Sequence, residues 1–409
     1  MKKTILRTVV SVALALLCTV GSCSAQGKRL PILMYHDLTT DPAKTNSMTI
    51  TADRFRLDME FLQQFGYTPL LPRDLIAIHE GRQAMPDKPV MVTFDDGYRS
   101  NYELAYPVLT ETGMKAVVAV VASNIRSDAE ALQPRSSMTW GELHEMAGSG
   151  VFEIGSHTYD LHNPQYGGAA ALDGIDGVMR LRHETRDQYR ARVGTDLKTS
   201  VQMIREMTGQ ITVNYFSFPY GGWDAWMPEL LAQQGIRVTT LTNPGMANIG
   251  AGLENLPRYR IEMHNPLSVL LQQNDKAAPA QVAVTVNGVP TTLPAYAIND
   301  NYYVRVRDAA VLLADTSGRF DVQWNARTHQ VELTSYQPYQ PLGTERAALP
   351  AGTRKVRSFT GVTVTDGVPR MVAAYLVDGN TYYKLRSLGE LCGFAVDWDG
   401  AAHTVVVTA

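Results

Sequence analysis

Pro89-Val90-Met91-Val92-Thr93-Phe94-Asp95-Asp96-Gly97 reads as a buried strand that delivers two adjacent carboxylates into a glycine turn. Side chains alternate along extended chain, so Asp95 and Asp96 should point apart and can take different jobs, one as a metal ligand and the other as a base. Alone, an Asp-Asp-Gly strand end is an ordinary turn. Its meaning depends on what else the fold brings beside it.

The surrounding chain predicts an α/β fold. Short apolar runs at Pro31–Tyr35, Val90–Phe94, Ala116–Val121, Phe152–Ile154, Tyr215–Phe218 and Val238–Leu241 alternate with helical patterns at Ala52–Phe65, Tyr102–Thr112, Trp140–Ala147, Lys198–Met207 and Trp226–Gln234. Such alternation argues for a parallel sheet, open or closed into a barrel, with catalytic groups gathered at the carboxyl ends of the strands. The Asp95-Asp96 turn lies at one such end. Asn163 to Gly194 interrupts the rhythm with Gln165-Tyr166-Gly167-Gly168-Ala169-Ala170-Ala171 and a charged run from Arg180 to Arg192, and reads as a long insertion, either a lid or a surface loop.

Phe152-Glu153-Ile154-Gly155-Ser156-His157-Thr158-Tyr159-Asp160-Leu161-His162 supplies the company that the aspartates need. A spacing of five would set His157 and His162 about 140° apart on a helix, but in a loop leaving a strand the two imidazoles can converge. Two neutral imidazoles and one carboxylate form a facial set suited to a catalytic divalent metal with positions left open for water and substrate.

With these residues in view, the chain from Pro31 to Gln273 resembles the NodB-homology polysaccharide deacetylases of carbohydrate esterase family four. The resemblance rests on Thr93-Phe94-Asp95-Asp96-Gly97, on Ser156-His157-Thr158 with His162, and on Phe218-Pro219-Tyr220-Gly221. It implies a distorted (β/α) barrel and metal-dependent removal of acetyl groups from N-acetylated glycans, with zinc the usual ion. It implies that Asp96, His157 and His162 are the metal ligands and Asp95 the general base. The Pro219-Tyr220-Gly221 turn would then present the Tyr220 N–H to the oxyanion, and Trp223 is the candidate to stack on a sugar ring. Trp140 and Trp226 read as helix-packing residues.

Two departures from the common family pattern stand out. Four residues rather than three separate the histidines, and Ser217 occupies the place of the arginine that usually braces the base; Arg99 and Arg258 are the available substitutes. Both departures resemble the branch acting on poly-β-1,6-N-acetylglucosamine. That branch also carries an early histidine, matched by His36 in Met34-Tyr35-His36-Asp37, whose implied role is the acid that protonates the leaving amine. His264 is the rival for that role.

The chain has 409 residues, 45% of them hydrophobic, which suffices for more than one core, and its net charge of -3 offers no basic footprint for nucleic acid. Residues 1–25 read as an export signal: Lys2, Lys3 and Arg7, an apolar stretch Val9 to Val20, and a small-residue exit at Ala25. A second reading makes Cys23 a lipidated residue. The expected location is outside the cytoplasmic membrane, and Cys392 has no disulfide partner once the signal is removed.

The deacetylase-like domain is expected at 29–273, followed by a linker at 274–280. Beyond it, an α+β domain of two small repeats is expected at about 281–335 and 356–409. Val284-Thr285-Val286-Asn287-Gly288-Val289-Pro290 returns as Val362-Thr363-Val364-Thr365-Asp366-Gly367-Val368-Pro369, and Phe320-Asp321-Val322-Gln323-Trp324 returns as Phe394-Ala395-Val396-Asp397-Trp398. His329 and His403 recur at one place in the two copies and read as a structural turn. These repeats resemble copper-amine-oxidase N-terminal-like domains, with no copper implied. Their architecture suggests attachment to wall polymer or the cell surface, and the partner expected for the first domain is an N-acetylated polysaccharide.

Overall fold

The computed structural model describes residues 28–128, 137–162, 177–263, 267–271, 275–298, 301–328, 330–358, 363–370 and 372–409. The export-signal reading, with Cys23, therefore lies outside the described residues, as do His264, His329 and residues 163–176 of the expected insertion. No helix among the described residues is long and apolar enough to cross a membrane.

Seven parallel strands form the continuous path of the first domain's eight-stranded sheet: β1 (Ile32–Tyr35), β2 (Pro89–Phe94), β3 (Ala116–Val120), β4 (Phe152–Ser156), β5 (Tyr215–Ser217), β6 (Val238–Thr240) and β7 (Tyr259–Arg260), with Thr68–Pro69 paired to the start of β2 as the eighth. Their spatial order is β6-β5-β4-β3-β2-β1-β7. β1 to β4 are continuously buried because both faces are covered, one by the barrel interior and one by helices. Between the two edge strands a full ladder is missing. A single bridge from Thr240 to Leu256 and the bonds Leu241 N–H to Leu256 O and Arg258 N–H to Asn243 O, each 2.9 Å, draw the segment ahead of β7 against the chain leaving β6. The expected distorted barrel is thus a parallel half-barrel closed by one short seam.

The helices start where local chemistry satisfies their free N–H groups. Thr51 caps Ala52–Gln64 by accepting from the Arg54 N–H at 3.1 Å, and Thr139 with Glu142 forms a reciprocal capping box on Trp140–Gly148. The expected helix Lys198–Met207 proves much longer, Arg186–Thr208, with its own Thr185–Gln188 box. The charged run that read as insertion is the solvent face of its first turns, where Arg186 and Arg190 pair with Glu229. Tyr189, Val193, Leu197, Val201 and Ile204 face the core. Tyr102–Thr112 opens with a wide π turn over Asn101–Ala105 before becoming α-helical. Trp140 is 6% exposed and Trp226 packs edge-on to Tyr189, so both tryptophans do pack helices.

Asp275–Ala280, expected as linker, is the first half of a twelve-residue strand, Asp275–Val286. Ala277 is buried, and the Tyr375 hydroxyl donates to Asp275 Oδ2 at 2.5 Å. Pro279 is tolerated because one side of the strand has no partner there: 275–277 pairs with 354–356, and 284–286 pairs with 405–407. The domains therefore meet directly. Phe65 lies edge-on to Tyr375 at 5.9 Å, Gln64 accepts from the Ala373 N–H, and Tyr296, Tyr303 and Tyr382 share the hydrophobic cluster of the barrel helices.

Within the second domain the two repeats interlock. The last strand of the second copy, Thr404–Thr408, runs parallel to Val284–Val286 of the first. Conversely, Gln330–Ser335 of the first copy runs parallel to Thr363–Thr365 of the second. Each opening hairpin turns on two residues with positive φ, Asn287-Gly288 and Asp366-Gly367. The matching residues Phe320 and Phe394 stack across the shared core at 6.3 Å. Neither copy completes its sheet alone.

Candidate active site

β2 ends at Phe94, and the next two residues diverge as the alternation requires. Asp95 turns inward and is 2% exposed. Its Oδ1 accepts from Arg258 Nη1 at 2.9 Å and its Oδ2 from Arg258 Nη2 at 2.7 Å, with Ser217 Oγ donating to Oδ2 at 3.0 Å. Arg258 is fully buried and otherwise saturated: Nε donates to Leu241 O, Nη1 to Thr93 Oγ1 and Nη2 to Ser217 Oγ. Burial pushes the Asp95 carboxyl up, but the Arg258 guanidinium, joined by His157, outweighs it and holds Asp95 well below the usual carboxylate range. Of the two arginines available to stand in for the one replaced by Ser217, Arg258 is the one that holds Asp95. Arg99 is not at the site; it pairs with Glu103 and Glu142 at 3.1 Å.

Asp96 takes a left-handed conformation, φ 73°, which swings its carboxylate the other way. Gly97 follows at φ 80°, where a side chain would sit 3.0 Å from Ile125 Cδ1 and 3.1 Å from Val120 Cγ1. Asp96 Oδ1 lies 3.4 Å from His157 Nε2 and 3.3 Å from His162 Nε2. His157 sits at the end of β4, its N–H bonded to Val120 O, and its Nδ1 bonds Ser217 O at 2.7 Å. A carbonyl only accepts, so Nδ1 carries the proton and the Nε2 lone pair faces Asp96. Burial pushes the His157 imidazolium down to about 4 and lowers His162 as well, so both rings are neutral at neutral pH.

Three observations fit this trio to a divalent cation. The ligand atoms all lie within 4.8 Å of one another, the imidazoles are neutral, and Asp96 Oδ1 is buried without a hydrogen-bond partner. Burial pushes the Asp96 carboxyl up, and the His157 ring beside it pulls the other way. Among the described residues this is the one such cluster of histidines, cysteines and acids.

The remaining expected residues fall around it. His36 follows β1 and is 8% exposed; burial pushes it down to about 4 against the pull of the Asp95 charge, and its carbonyl accepts from Asn101 Nδ2 at 2.8 Å. Pro219 and Tyr220 lie in a tight turn, with Tyr220 at φ 55° and its ring 4.8 Å from that of His162. Trp223 is 41% exposed two residues beyond the turn, and no described contact joins it to the trio. A cleft of about 450 Å³ reaches Asp96 and His162 of the trio, lined also by Tyr98, Ser123, Asn124 and Arg126. Tyr98, which lines this cleft beside Asp96, was not singled out by sequence reading, although it directly follows Gly97.

Comparison with known proteins agrees with this geometry. Residues 82–239 match the polysaccharide deacetylase family, and residues 285–407 match the copper amine oxidase N-terminal domain. The poly-β-1,6-N-acetyl-D-glucosamine N-deacetylase of Escherichia coli K12 is 28% identical over 260 residues, covering 59% of this chain and 38% of that protein. The chain thus spans well under half the length of that relative. The putative polysaccharide deacetylase YxkH of Bacillus subtilis is also 28% identical, covering 57% of this chain and 71% of its own length. Among solved structures, a de-N-acetylase from Aggregatibacter actinomycetemcomitans aligns with a TM-score of 0.51 and 25% identity, over 60% of this chain and 99% of its own. The first domain is thus similar to the polysaccharide deacetylases over residues 82–239, and the second to the copper amine oxidase N-terminal domain over residues 285–407.

Proposed function

We propose that the chain is an exported, metal-dependent polysaccharide N-deacetylase that hydrolyses the acetamide of N-acetylglucosamine units to a free amine and acetate. The observation that carries this reading is the convergence of Asp96 Oδ1 with two imidazole Nε2 atoms beside a second, braced aspartate. Asp96, His157 and His162 would hold a divalent ion, most simply zinc, which would supply Lewis acidity toward the acetyl carbonyl and water. Asp95, kept ionised by Arg258, takes a proton from the attacking water. The Tyr220 backbone N–H serves the carbonyl oxygen as charge develops on it. His36 gives a proton to the nitrogen as the carbon–nitrogen bond breaks.

The relatives named for poly-β-1,6-N-acetylglucosamine favour that polymer as substrate, over peptidoglycan, chitin oligomers or acetylated xylan. A catalytically degenerate glycan-binding protein would have no need of a braced base, and the two bonds from Arg258 to Asp95 favour the enzyme over it. Attachment to wall polymer or the cell surface through the interlocked repeats belongs to the same proposal. An acetate-release screen across the candidate polymers tests it. The purified protein should release acetate, lose that activity on chelation and recover it with zinc. His157→Ala should release none and retain no stoichiometric metal. Acetate release unaffected by chelation would sink the metal-dependent reading.

A further inference from the structure

The two histidines are separated by a loop of four residues whose shape needs outside support. Thr158 sits at φ 81°, a left-handed conformation that is costly for a β-branched residue. The carbonyl side of the loop is held by the neighbouring strand end: Ala122 N–H bonds Thr158 O at 3.1 Å and Ser123 N–H bonds Tyr159 O at 2.9 Å. On the N–H side, the amides of Tyr159 and Asp160 are both held by one residue. Asp196 Oδ1 accepts from the Tyr159 N–H at 2.9 Å and Oδ2 from the Asp160 N–H at 2.8 Å, using both carboxylate oxygens on consecutive amides. Asp196 is 8% exposed, in the middle of helix Arg186–Thr208. The nearby Arg192 is engaged by Glu184 and by the carbonyls of Gly177 and Met179.

One turn along the same helix, Ser200 Oγ bonds Ser156 Oγ at 2.8 Å, and Ser156 Oγ accepts from the Thr158 N–H at 3.2 Å. Residues 196 and 200 share one helix face. The helix thus grips the loop at two points, one directly before His157 and one midway to His162. Charge-assisted bonds to backbone amides are among the stronger hydrogen bonds, and these fix the path that carries the second imidazole back to the first.

We propose that Asp196 is a positioning residue for the metal centre, holding the 158–161 loop so that His162 Nε2 meets Asp96 and His157. This rests on the metal-centre reading above. Outer supports of metal ligands typically contribute 10- to 100-fold in metal affinity. Titration of the metal-free protein with cobalt(II), followed by its visible absorption, tests the idea without reference to activity. Asp196→Ala should weaken cobalt binding about 10- to 100-fold and alter the band shape, since one imidazole leaves or tilts. Asp196→Asn retains one acceptor and should fall between Asp196→Ala and the parent. Thermal unfolding of each metal-free variant separates a general loss of stability from a ligand-specific effect. If Asp196→Ala does not fold, the isosteric Asp196→Asn decides. Parent-like cobalt affinity and spectrum in the folded variants would overturn the proposal. His157→Ala run alongside keeps the two readings apart: if it too binds cobalt as the parent does, the metal-centre reading itself fails.

Discussion

Asp95→Asn is expected to lower acetate release by roughly 10²- to 10⁴-fold, the range associated with losing a general base, while metal binding persists through Asp96, His157 and His162. The substitution also has a structural cost. Arg258 is fully buried and donates to both Asp95 oxygens; an amide keeps one acceptor and turns its NH₂ toward the other guanidinium nitrogen. The variant should therefore melt below the parent as well as lose turnover. Metal content, unfolding temperature and acetate release on the same preparation separate these effects. A variant that is folded, metal-loaded and fully active would refute the role of Asp95. One that is inactive because it has lost the metal would show that the two adjacent aspartates do not divide their work.

How far this was legible in the sequence follows from the length over which each feature is encoded. β1 to β6 announce themselves as apolar runs between helical patterns, and the boundaries read from sequence differ from the observed ones by one or two residues. β7 is only Tyr259–Arg260, too short to leave a periodic signal, yet it brings Arg258 to the site. The split of Asp95 from Asp96 was legible because alternation is a local property. That Arg258 rather than Arg99 braces Asp95 was not, since the two partners are 163 residues apart and meet only through the closing seam of the barrel. The false linker has the same origin. Ala277, Ala278 and Ala280 carry little hydrophobic signal, and their strand is specified by Tyr296, Tyr375 and Val356 across the sheet. Asp196 was hidden for a related reason, lying within a helix while its carboxylate serves a loop 36 residues earlier.

Arg258→Ala carries the other large expected effect. Removing one partner of a buried ion pair costs more than the pair contributes, because it strands the other charge; about 3–5 kcal/mol is typical. Here the stranded group is Asp95, left with Ser217 Oγ as its one remaining hydrogen-bond donor in that pair of contacts. Burial, the largest influence on this carboxyl, would then lose its main opponent and raise the pKa, so the group should hold a proton to higher pH. Two consequences separate this from simple unfolding. In folded Arg258→Ala, the acidic limb of the rate profile should move upward, because a protonated Asp95 cannot accept a proton from water. In the double variant Asp95→Asn with Arg258→Ala, no charge is stranded, so it should unfold at higher temperature than Arg258→Ala alone while remaining inactive. Equal losses that simply add in the double variant would mean that the two side chains are not energetically coupled, and Arg258 would then be a packing residue of the barrel seam rather than the brace of the base.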